Sequence, residues 1–131
     1  MAPDGEKQTV LCVFDFDETV VECNSDTWIY TLAPKQMIPD KLKEGFDGVN
    51  WTGYMRNVFD YLYECGVTRE DYEKCLHQMP FVPGMKELLT TLANAKDNNG
   101  SPKYELAICS DANSFVISAF LEHHKLGTAF T

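Results

Sequence analysis

Apolar positions change their period along this chain, and the changes order its elements. Val10-Leu11-Cys12-Val13-Phe14 is a continuous apolar run that ends in Asp15-Phe16-Asp17. A strand buried on both faces, as in the middle of a parallel sheet, reads this way. From Asn24 the spacing turns helical: Asn24 or Ser25 can cap, and Trp28, Ile29 and Leu32 fall on one face. Pro34 and Pro39 then bound a loop. Trp51, Tyr54, Met55, Val58, Tyr61, Leu62 and Cys65 repeat at helical spacing, with Gly66 where a helix C-terminus favours it. Thr68 can cap a further helix carrying Tyr72, Cys75, Leu76 and Met79 before Pro80.

After Pro83-Gly84, the positions Met85, Leu88, Leu89 and Leu92 predict an amphipathic helix, closed by the turn-rich Asp97-Asn98-Asn99-Gly100-Ser101-Pro102. Tyr104 to Cys109 is a second buried-strand candidate, ending in Ser110-Asp111, and Val116, Ala119 and Phe120 mark a last helix that Asn113 begins. Strands that alternate with helices and end in polar residues are the grammar of an open parallel α/β sheet, whose ligands bind at the strands' carboxyl ends. If the two strands are neighbours, Asp15, Asp17, Ser110 and Asp111 share one crevice.

Composition narrows the choice. With 44% hydrophobic and 24% charged residues, the 131-residue chain fits one globular domain, or a domain with a small insert. Eleven Lys and Arg against twenty Asp and Glu give 11 − 20 = −9, which disfavours nucleic-acid binding. No apolar stretch is long enough to span a membrane, and Met1 to Lys7 lacks a signal-peptide pattern, so no membrane association and a cytoplasmic location are expected. The five cysteines have no metal-ligand spacing and are expected as free, mostly buried thiols. His123-His124 point about 100° apart on a helix and are expected at its solvent-facing end.

Asp15 and Asp17 would repel each other unless a cation or a proton separates them. Magnesium answers this need, because it takes a few carboxylates, carbonyls and waters and works with substrate phosphate. Asp15 could then attack phosphorus while Asp17 gives a proton to the leaving oxygen, with Thr19 and Ser110 as hydroxyl donors. Spacing alone equally allows a strand-to-loop corner in which these Asp side chains satisfy local backbone N–H groups. Ser25-Asp26 and Ser110-Asp111 would serve likewise as helix caps.

The run Phe14-Asp15-Phe16-Asp17-Glu18-Thr19-Val20 resembles the first motif of the haloacid dehalogenase (HAD) superfamily of phosphotransferases, and Ser110 resembles its second. More narrowly, Asn24-Ser25-Asp26-Thr27-Trp28, Pro80-Phe81-Val82-Pro83-Gly84-Met85 and Cys109-Ser110-Asp111-Ala112-Asn113-Ser114-Phe115 are similar to segments of the PHOSPHO-type phosphatases. The resemblance implies a partial HAD-like, Rossmann-like α/β core formed by residues 1–22 and 82–131, with a helical cap at 23–81. It implies a magnesium-dependent phosphatase of small phosphate monoesters: phosphoethanolamine, phosphocholine or pyridoxal phosphate. Asp15 would be nucleophile and metal ligand, forming a phosphoaspartate. Asp17 would be acid/base, with its carbonyl on the metal. Ser110 would hold the phosphoryl group, and Asp26 and Asp111 would face a substrate ammonium. Trp28 resembles the pyridoxal-phosphate branch.

The resemblance also implies a later lysine motif and a paired-Asp motif. Beyond Ser110 the only lysine is Lys125, too early to match, and no further strand follows. A fragment or shortened product is therefore expected, and the alternative reading is a catalytically silent paralogue acting as a binding or interaction module.

Overall fold

The computed structural model describes residues 8–131. The expectation about Met1 to Lys7 lies outside them. Strand β1 (Val10–Phe14) leads through a short loop to α1 (Ser25–Trp28), α2 (Asp40–Glu44), α3 (Trp51–Glu64) and α4 (Arg69–Leu76). Then come α5 (Met85–Asn94), β2 (Tyr104–Ile108) and α6 (Ser114–His123). The strands pair in parallel from Val10↔Tyr104 to Phe14↔Ile108. Helix α5 packs on β2, and α4 packs on α6.

Local signals account for most of these boundaries. Asn24 caps α1, its side-chain oxygen accepting from the N–H groups of Asp26 and Thr27 at 3.0 and 3.3 Å. Thr68 and Asp71 form a reciprocal capping box on α4. Helix α3 ends in a Schellman pair, Val67 N–H to the Leu62 carbonyl and Gly66 N–H to that of Tyr63. This closure requires φ +83° at Gly66, a conformation that costs glycine nothing.

Three expectations change. The α-helix that starts at Ser25 stops at Trp28 and continues as a 3-10 turn over Ile29–Leu32, because Pro34 holds Ala33 extended (φ −70°, ψ 152°). The stretch after Pro39, to which the sequence assigned no element, forms the helix Asp40–Glu44, too short for periodicity to reveal. Strand β1 is not buried on both faces. Cys12 and Phe14 turn inward with their partners Leu106 and Ile108, while Leu11 and Val13 on the opposite face are 58% and 56% exposed. One face of this two-stranded sheet is thus covered and the other open, which restores the alternation that central strands lack.

The cysteines also depart from expectation: Cys65 and Cys109 are exposed, and Cys12, Cys23 and Cys75 are half-buried. All five are free thiols. Phe16 is fully buried and meets Phe120 of α6 edge-on, with ring centroids 5.8 Å apart. Val20, Val21, Leu89 and Leu106 are buried in the same core.

His123 and His124 are not merely a wet helix end. The His123 ring stacks on His77, which follows α4, at 3.8 Å and 7°. His124 is half-buried against Phe81 and Phe120, and its Nε2 is buried without a hydrogen-bond partner. Burial, followed by the charge of His123, lowers the pKa of both His77 and His124; Lys86 adds to the effect at His124, and Glu73 opposes it at His77. The folded state therefore binds protons less readily than the unfolded chain. Stability should be full above the ordinary value of 6.5 and decline as pH falls through the lower folded values. Thermal melts between pH 7.5 and 5 check this: His77→Gln should flatten the decline, and an unchanged slope would remove the stacked pair as its cause.

Candidate active site

The backbone brings Asp15 and Ser110 to adjacent strand ends. Phe14 and Ile108 are the last paired residues, and the N–H of Cys109 continues the ladder to the Phe14 carbonyl at 2.8 Å. Both strands point their carboxyl ends the same way, so the side chains that follow them share the mouth of the sheet. Asp15 is exposed, and one of its oxygens accepts from the Phe16 N–H at 2.6 Å. Ser110 is half-buried, its hydroxyl accepting from the Ala112 N–H at 3.1 Å.

The loop after Asp15 is wound tightly. The Phe16 carbonyl collects the N–H groups of Thr19, Val20 and Val21 at 3.2, 2.9 and 3.2 Å, with Glu18 in the left-handed region at φ +57°. This winding places Thr19, half-buried, beside the strand end. Asp17 points the other way along the chain: its Oδ1 accepts from the N–H of Ser25 at 2.9 Å, tying the loop to the first turn of α1. A carboxylate there takes the one first-turn N–H that Asn24 does not. The Ser25 hydroxyl beneath it is fully buried and unpartnered.

The helical segment leaves and returns through a narrow neck. Val21 bridges to Phe81, Glu22 N–H donates to the Pro80 carbonyl at 2.8 Å, and Val82 N–H donates to that of Val20 at 3.0 Å. Helices α1 and α3 from this segment then meet the loop after β2 around a cavity of about 390 Å³. Asp26 and Asp111, named from sequence, both line it. Neither caps a helix, because Asn24 and Asn113 do so instead.

Asp26 sits in a perturbing environment. Burial raises its pKa above the ordinary 3.8, the indole of Trp51 opposes this by donating to Oδ2 at 2.7 Å, and the charges of Asp17 and Asp111 raise it further. That electrostatic coupling links the three carboxylates across α1 and two loops.

Sequence reasoning missed several wall residues of this cavity: Trp51, Arg56, Phe59 and Asp60. In the sequence Trp51 counts only as one apolar position of a helical repeat. The signal was present in the spacing, since Trp51, Met55 and Phe59 repeat every four residues beside Thr52, Arg56 and Asp60. Two such adjoining stripes, one aromatic and one polar, mark a helix face that borders a cleft.

Among the described residues no group of three or more His, Cys, Asp or Glu side chains could hold a metal ion. Magnesium nevertheless uses one or two carboxylates together with waters and substrate phosphate. The exposed Asp15 carboxylate and the Asp17 carbonyl beside it fit such a partial ligand set.

An acidic corner at the carboxyl end of a parallel α/β sheet marks the place of a ligand site, and comparison with known proteins gives the family. Residues 10–131 match the family model described as "Putative Phosphatase". The chain belongs to this phosphatase family. It is 41% identical over 113 residues to pyridoxal phosphate phosphatase PHOSPHO2 of Bos taurus, covering 86% of this chain and 45% of that protein. It is 36% identical over 129 residues to the phosphoethanolamine/phosphocholine phosphatase of Homo sapiens, covering 96% and 46%. The chain thus spans about half the length of these curated relatives. Its fold is similar to the putative HAD-hydrolase YfnB of Bacillus subtilis, solved bound to magnesium, at a TM-score of 0.55 and 16% identity, covering 95% of this chain and 64% of that one. The partial HAD-like α/β fold expected from the motifs is therefore the fold observed. No helix among the described residues is long and apolar enough to cross a membrane.

Proposed function

We propose that this chain carries the nucleophile and substrate-recognition parts of a magnesium-dependent phosphomonoesterase acting on small esters with a cationic end. The observation that carries the reading is the parallel pairing of β1 with β2, which supports Asp15 and Ser110 as partners at one phosphoryl group. An Asp15 carboxylate oxygen attacks phosphorus, and the ester P–O bond breaks as a phosphoaspartate forms. Asp17 gives its proton to the departing alkoxide, then takes one from the water that hydrolyses the intermediate. Thr19 and Ser110 donate hydrogen bonds to the phosphoryl oxygens. Asp15 and the Asp17 carbonyl would hold magnesium, whose positive charge would screen the nucleophile from the anionic ester.

In this reading residues 23–81 form a cap on a core made by 1–22 and 82–131, and the paired neck at Val21 and Phe81 is where the cap would pivot. Asp26 from the cap and Asp111 from the core receive the cationic end, as their shared cavity supports. The relatives of this chain are named for pyridoxal phosphate and for phosphoethanolamine or phosphocholine, which supports a small phosphate ester as substrate.

Trapping tests the assignment of the nucleophile. The 131-residue chain is mixed with magnesium and phosphoethanolamine or pyridoxal phosphate, quenched in acid and reduced with borohydride. Mass spectrometry should then find reduction at Asp15 alone, dependent on the ester. Ester hydrolysis with reduction at any other carboxylate would reject the proposed role of Asp15.

A further inference from the structure

The cavity between α1, α3 and the loop after β2 is unevenly charged. Asp26, Asp60 and Asp111 line it against the single guanidinium of Arg56, and among the described residues Arg56 forms no ion pair with any of them. Trp51 and Phe59 supply aromatic wall. Three carboxylates beside aromatic surface favour an organic cation over an anion.

Within this wall Trp51 is fixed twice. Its ring packs edge-on against Phe46 at 5.5 Å and tilted against Tyr54 at 5.1 Å, and Phe46 and Tyr54 also touch each other at 5.2 Å. The Tyr54 hydroxyl continues the cluster to that of Tyr30 at 3.3 Å. Held this way, the indole N–H reaches Asp26 Oδ2 at 2.7 Å. Asp26 sits in the first turn of α1, where a carboxylate ordinarily turns back to the helix end. Asn24 already occupies that end, leaving Asp26 to Trp51.

We infer that Trp51 is a positioning residue for cation recognition, holding the Asp26 carboxylate toward the cavity so that an ammonium group can dock between Asp26 and Asp111. The inference rests on the site reading given under Proposed function, and it adds the group that makes Asp26 selective. One carboxylate oxygen takes the indole N–H, leaving acceptor capacity on the carboxylate for a cation. The same bond favours the ionised form against burial, which a cation receptor needs.

The probe is choline, the free cation without phosphate. In NMR spectra of the 131-residue chain, choline should move the indole N–H signal of Trp51 and leave that of Trp28, whose Nε1 donates to the Cys75 carbonyl at 2.9 Å. Trp51→Phe keeps an aromatic ring but removes the donor, and should weaken choline binding about tenfold, followed on backbone amides lining the cavity. Asp26→Asn should weaken it at least as much. Because Trp51 acts through Asp26, the double variant should bind no worse than Asp26→Asn alone.

A Trp51 signal unmoved at saturating choline would overturn the inference in the wild-type chain, whatever the variants do. Additive losses from Trp51→Phe and Asp26→Asn would also overturn it, assigning Trp51 a separate packing role. Choline binding with this pattern, but with borohydride reduction at a carboxylate other than Asp15 in the trapping experiment, would support the positioning role while overturning the phosphatase reading of the site.

Discussion

Phe16→Ala should lower the stability of the chain by about 3–5 kcal/mol, the range for truncating a buried aromatic side chain. Phe16 is the residue between the two acidic positions, yet its side chain turns inward. It is fully buried, meets Phe120 at 5.8 Å and anchors the core from which the Asp15 to Thr19 loop projects. Its carbonyl is the hub of that loop, accepting from Thr19, Val20 and Val21. A cavity at the ring position would thus loosen both the packing of α6 and the platform under the acidic corner. Against a total of roughly 5–15 kcal/mol for an ordinary domain, such a loss is a large fraction. Urea unfolding followed by circular dichroism measures it. Phe16→Leu, which fills more of the space, should cost less than half as much, and equal losses for the two would mean that the aromatic contact with Phe120, not volume, sets the stability.

The same residue illustrates why part of the site was legible before the fold. An acid–aromatic–acid corner after an apolar run alternates its side chains out, in and out, so the outward carboxylates follow from strand geometry. The helices α3, α4 and α5 were legible for a related reason: each carries its own apolar period and terminal signals, such as Gly66 and the Thr68 capping box. What could not be read was whatever depends on a partner distant in the chain. The exposure of Leu11 and Val13 is set by what stands beside the sheet, not by the apolar run itself. The stacking of His123 on His77 requires α4 to lie on α6. The bond from Trp51 to Asp26 joins positions that no local pattern relates. Asp111 was nameable from its strand end and Asp26 only through a family resemblance, and their shared cavity emerges only when α3 closes beside them.

Asp17→Asn and Asp17→Ala should separate the two tasks that converge on this side chain. Asp17 Oδ1 accepts from the Ser25 N–H at 2.9 Å, and an asparagine oxygen can accept the same bond. Asp17→Asn should therefore keep the loop tied to α1 and leave the unfolding midpoint close to that of the wild type. The amide cannot deliver a proton, so turnover of an alkyl ester such as phosphoethanolamine should fall about 10²–10⁴-fold if Asp17 is the general acid. Para-nitrophenyl phosphate loses a far less basic oxygen that needs little protonation, so its formation of phosphoaspartate should suffer much less. Asp17→Ala removes the tether as well, leaving the Ser25 N–H without its carboxylate, and should add a stability loss of about 1–3 kcal/mol. Rapid-quench kinetics on both esters, paired with thermal melts, measure the two effects independently. Equal losses on both esters in Asp17→Asn would take the proton-transfer role away from Asp17 and leave it as the strut between the catalytic loop and α1.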